Sequence, residues 1–209
     1  MKRILTLSLA ALSTMAVLAA KPQKQLSLQP DNIDDIVAAM TVEEKAHLVV
    51  GADMSDRKAA GEVGYTESII PGAAGVTYPI ERLGIPAIVF ADGPAGLRIE
   101  PRREGDPNTY YCTGFPVGTH MAATWNDEII RRVGESMGNE VREYGVDVLL
   151  GPGINMMRNP LCGRNFEYFS EDPLLAGRTA AAIINGIESN GVGASLKHFA
   201  ANNQEINRL

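Results

Sequence analysis

An alternation of short apolar runs with longer amphipathic runs constrains the fold of this chain more than any other feature of its sequence. The apolar run at residues 146–150 is bounded by Gly145 and Gly151, and a long polar loop separates it from the amphipathic run at 174–189. A second short segment, at 193–197, is predicted to be the next strand. Short runs bounded by glycine favour strands, and the longer periodic run favours a helix. The order strand, loop, helix, strand predicts an α/β fold with parallel strands.

Helices and a further strand are predicted upstream. Residues 31–40 and 127–144 have helical periodicity, with Asn126 as the N-cap of the second helix. One apolar face of the first helix is expected to pack, and it consists of Ile33, Ile36, Val37 and Met40. Thr41 and Glu44 have capping-box spacing and predict the start of another helix.

The segments on either side of these elements have different characters. Residues 51–82 lack a period and are rich in Gly, Ser and Thr, which predicts a long surface segment. Residues 87–91 form a short apolar run that predicts a strand and places Asp92 at its end. The loop at 151–173 is crowded with Arg, Asn, Glu and aromatic residues. Since ligands of parallel α/β folds bind at the carboxyl ends of the strands, this loop is predicted to face a ligand.

The amino-acid sequence of this loop resembles that of a known family. GRNFEYFSEDP, at residues 163–173, resembles the signature loop of glycoside hydrolase family 3. Three further segments occur in that family's order: FADGPAGLR at 90–98, FP at 115–116 with AATW at 122–125, and KHFAANNQE at 197–205. The resemblance implies a (β/α)₈ TIM-barrel-like domain. A complete barrel takes about 250 residues, so the 209 residues of this chain are expected to hold an incomplete one, with 21–209 as its amino-terminal part.

The resemblance also implies which residues bind substrate: Asp92, Arg164, Lys197, His198 and Arg208. The Asp92 carboxylate can accept two sugar hydroxyls, while the cationic and imidazole groups supply donors. Considered without the resemblance, Asp-Gly-Pro favours a turn, the arginines suit a solvated surface and a lone His suits a core.

Lys197 and His198 are adjacent, and neighbouring side chains of a regular strand point to opposite faces. For both to reach one pocket, the backbone there must be irregular. We therefore hypothesise a strained or cis peptide at the end of this strand.

Hydrolysis of a glycosidic bond needs two carboxyl groups, about 5.5 Å apart when configuration is retained. In the family, the positions that match the carboxylates of this chain are neither the nucleophile nor the acid/base. The resemblance places those groups beyond Leu209, so no catalytic residue is expected here. Glu167, close to Arg164 and Asn165 in the sequence, is expected to hold its loop through an ion pair or through backbone hydrogen bonds, with general acid as the alternative role. Trp125 is expected to pack in the core, with sugar stacking as its alternative.

The activity that the resemblance implies is retaining hydrolysis of terminal β-D-glycosyl residues, of the β-glucosidase or β-xylosidase type. AANNQE follows KHF, where the family's N-acetylhexosaminidase branch has a Pro-Gly-His-Gly-like sequence. The expected partner is a β-linked oligosaccharide or glycoside. Two alternatives stay open, a non-catalytic carbohydrate-binding fragment and an inactive truncated product.

Composition argues against other function classes. A net charge of −6 and an absence of any dense Lys/Arg stripe argue against a nucleic-acid partner. His47, His120 and His198 lack metal-ligand spacing, and the chain has no GxGxxG, phosphate-loop or GxSxG motif. No metal or other cofactor is therefore expected, and the oligomeric state is open.

The first twenty residues resemble a targeting segment. Lys2 and Arg3 precede an apolar stretch that ends in small residues, which predicts a secretory signal at 1–20 and a periplasmic or secreted protein. A membrane anchor needs about 20 strongly apolar residues, and this stretch is rich in Ala, Ser and Thr. For Cys112 and Cys162, export permits a disulfide, but two separate thiols are equally open.

Overall fold

The computed structural model describes residues 26–51 and 69–207. The predicted signal at 1–20, residues 52–68 of the predicted surface segment, and Arg208 lie outside these ranges. The described residues form an α/β fold in which helices pack on an open sheet of four strands. The predicted fold class is confirmed, with the sheet open as expected of an incomplete barrel.

The elements alternate along the chain. The described α-helices are α1 Ile33–Ala39, α2 Val42–Val50, α3 Gly118–Ala122, α4 Asp127–Glu143 and α5 Pro173–Glu188. The strands are β1 Gly75–Val76, β2 Val89–Asp92, β3 Val148–Leu150 and β4 Gly193–Ala194. Two short 3₁₀ helices lie at Glu81–Leu83 and Asn165–Glu167.

The sheet has the order β1-β2-β3-β4. Strands β2, β3 and β4 are parallel, whereas β1 runs antiparallel to β2. Asp92 pairs with Leu150 at the carboxyl ends of β2 and β3, and Lys197 forms a parallel bridge with Gly153 beyond the ends of β3 and β4. The loops that carry the predicted site residues therefore leave the same edge of the sheet.

The main core lies between this sheet and the pair α4 and α5. Its buried members include side chains from β2, β3 and both helices: Val89, Ala91, Leu149, Ile130, Met137, Val141, Ile183 and Ile187. The strands are nearly continuous apolar runs, as expected where helices cover a parallel sheet. This core holds the carboxyl ends of β2 and β3 in place.

Helices α4 and α5 approach closely because glycines line their contact. A Cβ at Gly186 would lie 2.1 Å from the backbone oxygen of Arg131, and one at Gly134 would lie 2.3 Å from that of Ile183. Because the nearest atoms in both contacts are backbone atoms, no flexible side chain can move aside to make room for a Cβ. At Gly177, on the same helix as Gly186, a Cβ would meet nothing within 4 Å.

The predicted caps are confirmed. Thr41 and Glu44 form a complete capping box at the start of α2, and Asn126 accepts from the amide of Ile129 at the start of α4. Glu44 also binds Arg82, 2.5 Å away. The bond from Arg82, with that from the Thr41 amide, lowers the pKa of Glu44 to about 2.

Two predictions about the amino-terminal half are wrong. Ile33 and Val37 are exposed, because α1 packs only Ile36 and Met40 into a small cluster separate from the sheet. Within 69–82, the expected surface segment includes β1 and a 3₁₀ helix, and it buries Ala73 in the main core. The segment has no strand-like alternation of apolar and polar residues, but β1 joins the sheet by pairing with β2.

Element bounds differ from the predictions mainly at the ends. The strand predicted at 193–197 keeps ladder pairing only over Gly193–Ala194, with one bridge at Lys197. Helix α5 begins at Pro173, where Pro suits the first helical position because it has no N–H to satisfy. Cys112 and Cys162 are both free thiols. Among the described residues, the structure has no helix that is both long and apolar enough to span a membrane.

Gly186→Ala is expected to destabilise the fold by about 2 kcal/mol, because the added methyl forces α4 and α5 apart. Gly177→Ala on the same helix is expected to be neutral or mildly stabilising, since Ala favours helix over Gly. Urea unfolding followed by far-UV circular dichroism measures both. Equal effects of the two substitutions would contradict the close helix contact.

Glu44→Gln is expected to remove a pH-dependent part of the stability. The folded-state pKa of Glu44 is depressed from 4.5 to about 2, so its stabilisation is present above the ordinary value and is lost as the pH falls through the folded one. The difference in urea midpoint between wild type and Glu44→Gln should shrink across that window. Glu43→Gln, which removes the same charge from the same helix turn, is the control. A constant difference across this window would show that Glu44 does not act through its charge.

Candidate functional site

A cavity of about 490 Å³ opens at the carboxyl ends of β2 and β3. We call it the carboxyl-end cavity. Its charged and imidazole lining groups are Asp92, Arg98, Arg164, Glu167, Lys197 and His198. Such a wall offers both hydrogen-bond donors and acceptors, which is what a polyhydroxylated ligand requires.

The predicted spatial grouping is confirmed for the described residues. Asp92, Arg164, Lys197 and His198 all line this one cavity, although they come from three separate segments of the chain. Arg208 lies outside the described residues. Arg98 was missed as a cavity residue, although it belongs to the same FADGPAGLR segment as Asp92.

Asp92 is the last residue of β2, and two cations flank its carboxylate. Nζ of Lys197 donates to Oδ1 at 2.8 Å, and Nη1 of Arg98 lies 3.8 Å from Oδ2. The Lys197 ammonium is largely buried, whereas the Arg98 side chain is mostly exposed. The pair Asp92–Lys197 therefore fixes a negative and a positive group side by side at the cavity wall.

Arg164 is held by its own loop. The 3₁₀ helix Asn165–Glu167 places Glu167 three residues after Arg164, whose Nε donates to the Glu167 carboxylate. Burial is the largest single influence on the pKa of the Arg164 guanidinium and lowers it. The hydrogen bond to Glu167 and the charge of that carboxylate, with smaller contributions from Tyr168 and Glu205, together leave the pKa raised. Glu167 is buried. The expected loop-holding role of Glu167 is what the structure shows.

His198 lies against Arg164 in the cavity wall. Its Nε2 is 2.8 Å from Nη2 of Arg164, and its Nδ1 is 3.3 Å from the hydroxyl of Tyr168. Burial raises the pKa of the Tyr168 hydroxyl, so this group is protonated at neutral pH. Asn202 donates to the same hydroxyl at 2.7 Å.

The backbone at this point is irregular, as hypothesised. The peptide bond between Lys197 and His198 is cis, and the side chains of both residues line the carboxyl-end cavity. On the other side of these residues lies a cavity of about 370 Å³, walled largely by apolar groups such as Ile154 and Phe199. Lys197 and His198 line this second cavity as well, but Asp92, Arg164 and Glu167 line only the carboxyl-end cavity of the two.

Among the described residues, two carboxylates line the carboxyl-end cavity, and each is paired with a cation. Asp92 is bonded to Lys197, and Glu167 is bonded to Arg164. Both groups are thereby suited to binding and support rather than to proton transfer. Within residues 26–51 and 69–207, no group of three or more His, Cys, Asp or Glu side chains could hold a metal ion.

The expectation that Trp125 packs in the core is wrong. Its side chain is 76% exposed and lines a small separate cavity with Leu174 and Arg178. Trp125 occupies the short connection between α3 and α4 with a φ of 51°, so its direction is set by the turn rather than by the helical period.

Comparison with known families gives a match over most of the described chain. Residues 69–206 match the glycosyl hydrolase family 3 N terminal domain. The matched region includes both edges of the open sheet and every described residue of the carboxyl-end cavity.

Individual relatives agree with this match. The chain is 45% identical over 182 residues to thermostable beta-glucosidase B of Acetivibrio thermocellus, covering 85% of this chain and 21% of that protein. It is 44% identical to the exo-alpha-(1->6)-L-arabinopyranosidase of Bifidobacterium longum, covering 83% and 21%. The solved structure of beta-glucosidase 3B from Thermotoga neapolitana in complex with alpha-D-glucose is 55% identical, with a TM-score of 0.76 over 85% of this chain and 24% of that one. The chain thus spans about a fifth of the length of these curated relatives.

Glu167→Gln is expected to destabilise the fold by about 2 kcal/mol, because the partly buried Arg164 guanidinium loses its nearest anionic partner and keeps only the more distant Glu205. The matched control is Glu128→Gln, which removes a carboxylate from an exposed i,i+3 pair with Arg131 and should produce no measurable change. Urea unfolding measures both variants. If the two behaved alike, the loop would not depend on the pair between Arg164 and Glu167.

Proposed function

Because the chain belongs to glycoside hydrolase family 3, we propose that the carboxyl-end cavity binds the terminal β-D-glycosyl unit of a β-linked glycoside, for hydrolysis of the β-glucosidase or β-xylosidase type with retention. The observation that carries this proposal is the convergence of Asp92, Arg164, Lys197 and His198 on one cavity. These four side chains include both donors and acceptors, and a pyranose offers hydroxyls that both donate and accept.

Asp92 and Lys197 form the centre of the proposed sugar site. The carboxylate accepts from two neighbouring hydroxyls, and the ammonium donates to one of them. Charge-assisted hydrogen bonds are about twice as strong as neutral ones. Because the two groups already hold each other at 2.8 Å, the sugar meets a preorganised pair and little side-chain freedom is lost on binding.

Arg164 and His198 form the second part of the proposed site. The guanidinium presents a planar fork of donors whose position Glu167 fixes. Arg98, near the other oxygen of the Asp92 carboxylate, adds a mostly exposed cation to the cavity. Together these groups would orient the ring while leaving one side of the sugar open to further residues.

We place the nucleophile and the acid/base of this reaction beyond Leu209. The support from the described residues is that both carboxylates of the carboxyl-end cavity are already committed to cations. In this proposal, residues 1–209 supply substrate binding without turnover.

Glucose is the first ligand to test, because the Thermotoga neapolitana structure holds it. Xylose and L-arabinose belong in the panel as well, since a bifidobacterial relative is named for arabinopyranoside hydrolysis. These pentopyranoses lack the exocyclic hydroxymethyl group, so a preference for glucose would report a contact to that group.

We also propose that the protein is exported, with residues 1–20 as its secretory signal. The support is the sequence pattern of Lys2 and Arg3 before an apolar stretch with small residues at its end. Fractionation of expressing cells, with amino-terminal sequencing of the product, tests it. An intact amino terminus in the cytoplasmic fraction would refute export.

Glucose titrated into ¹⁵N-labelled chain is expected to shift amide resonances around the carboxyl-end cavity in a saturable way. Asp92→Asn should weaken the binding about tenfold, because the loss of a charge-assisted hydrogen bond costs about 1.4 kcal/mol or more. Asp127→Asn is the matched control, since it removes the carboxylate of an exposed pair with Arg178. Absence of saturable binding, or equal weakening by both variants, would overturn the sugar site.

Residues 1–209 are expected to release no product from an aryl β-glucoside above the buffer background. Release of nitrophenol, followed by absorbance with and without the protein, measures this. Sustained turnover that Asp92→Ala abolishes would show that the catalytic carboxylates lie within this chain. It would leave the binding role of the cavity intact.

A further inference from the structure

Asn155 lies behind the carboxyl-end cavity and is bonded to His198 at both ends of its side-chain amide. Its Oδ1 accepts the backbone N–H of His198 at 2.8 Å, and its Nδ2 donates to the carbonyl of the same residue at 3.0 Å. The residue is buried, with 8% of its surface exposed. Since the amide has one acceptor end and one donor end, this pair of bonds fixes its orientation.

The imidazole of His198 faces three polar groups. Nε2 is 2.8 Å from Nη2 of Arg164, and Nδ1 is 3.3 Å from both Oδ1 of Asn155 and the hydroxyl oxygen of Tyr168. A guanidinium only donates. Nε2 must therefore accept from Arg164 and carry no proton.

The proton of the neutral imidazole then lies on Nδ1. There it points toward Oδ1 of Asn155 and the oxygen of Tyr168, both of which have lone pairs to accept it. The opposite tautomer would set an N–H of His198 against an N–H of Arg164. An imidazolium would do the same and would add a like charge beside the guanidinium, which electrostatics disfavours.

We propose that Asn155 is a positioning residue that holds His198 as the Nδ1–H tautomer, with the lone pair of Nε2 turned toward Arg164. Its amide fixes the backbone of His198 by two bonds and accepts the imidazole proton with the same oxygen. The hydroxyl of Tyr168 shares that proton without fixing the backbone.

This arrangement would let the cavity recognise one hydroxyl group of a ligand. Nε2 is an acceptor and Nη2 of Arg164 is a donor, so a hydroxyl that displaces the bond between them can donate to Nε2 and accept from Nη2. The link to a sugar rests on the proposed function, whereas the tautomer of His198 does not.

The tautomer is measured directly on the ¹⁵N-labelled 209-residue chain at neutral pH. Long-range proton–nitrogen correlation spectra distinguish the two nitrogens of each imidazole, and His198 is assigned by loss of its signals in His198→Gln. The expected pattern is a protonated Nδ1 and an unprotonated Nε2. A protonated Nε2, in either the opposite tautomer or an imidazolium, would overturn the proposal without any reference to sugar.

Variants separate Asn155 from its neighbours. Asn155→Ala removes the two bonds that hold the backbone of His198, so the imidazole should move away from Nη2 of Arg164 and show a mixture of tautomers. Tyr168→Phe should leave the pattern as Nδ1–H. Asn159→Ala, which removes a backbone cap from the same loop, is the matched control and should leave the pattern unchanged. Loss of the pattern in Tyr168→Phe together with its retention in Asn155→Ala would assign the role to the tyrosine instead. If Asn155→Ala does not fold, the wild-type and Tyr168→Phe spectra decide.

Sugar affinity provides the second readout. Asn155→Ala is expected to weaken glucose binding about tenfold, as expected for loss of about one to two hydrogen bonds at a site, with Asn159→Ala at wild-type affinity. Nδ1–H in a wild type that binds no sugar supports the positioning role and refutes the proposed function. Sugar binding by a protein whose His198 is protonated on Nε2 refutes the positioning role and supports the proposed function.

Discussion

Parallel hydrogen bonding of β3 to both β2 and β4 is the constraint on which the rest of this structure depends. Parallel strands present their carboxyl ends at one edge of the sheet. The register that pairs Asp92 with Leu150, and the bridge of Gly153 with Lys197, bring two residues 105 positions apart into direct contact. Without that pairing, the charged groups of FADGPAGLR, GRNFE and KHF would lie on unrelated loops.

The helices behind the sheet make the pairing possible. Close contact of α4 and α5 at Gly134 and Gly186 lets both helices cover the same face, and their apolar side chains fill the space over β2 and β3. The polar edge is stabilised separately, through the pairs Asp92–Lys197 and Arg164–Glu167. Each buried or half-buried charge of the carboxyl-end cavity has a partner, which offsets the cost of removing it from water.

Much of this could be predicted from the sequence, for physical reasons. Period and capping residues located α2, α4 and α5, because these signals are local. The family resemblance predicted that Asp92 and Lys197 belong to one site, because each lies in one of its motifs, and both line the carboxyl-end cavity. The exposure of Trp125 could not be predicted, because it depends on the conformation of a turn. Which side chains of α1 are buried could not be predicted either, because that depends on the element against which the helix packs.

The role of Asn155 was also missed. Asn in a polar loop has no distinctive period, and its importance appears only when His198, far along the chain, is placed beside it. Strand ends were overextended for a related reason. The strand was predicted to run to Lys197, whereas ladder pairing stops at Ala194 and only one bridge follows, at Lys197.

The central claim is that four side chains from three segments surround one sugar. A crystal structure of the 209-residue chain with bound glucose tests it most directly. The account predicts one glucose molecule in the carboxyl-end cavity, with hydroxyl oxygens within hydrogen-bond distance of Asp92, Lys197, Arg164 and His198. Glucose bound elsewhere, or a cavity whose four side chains point away from the sugar, would contradict it.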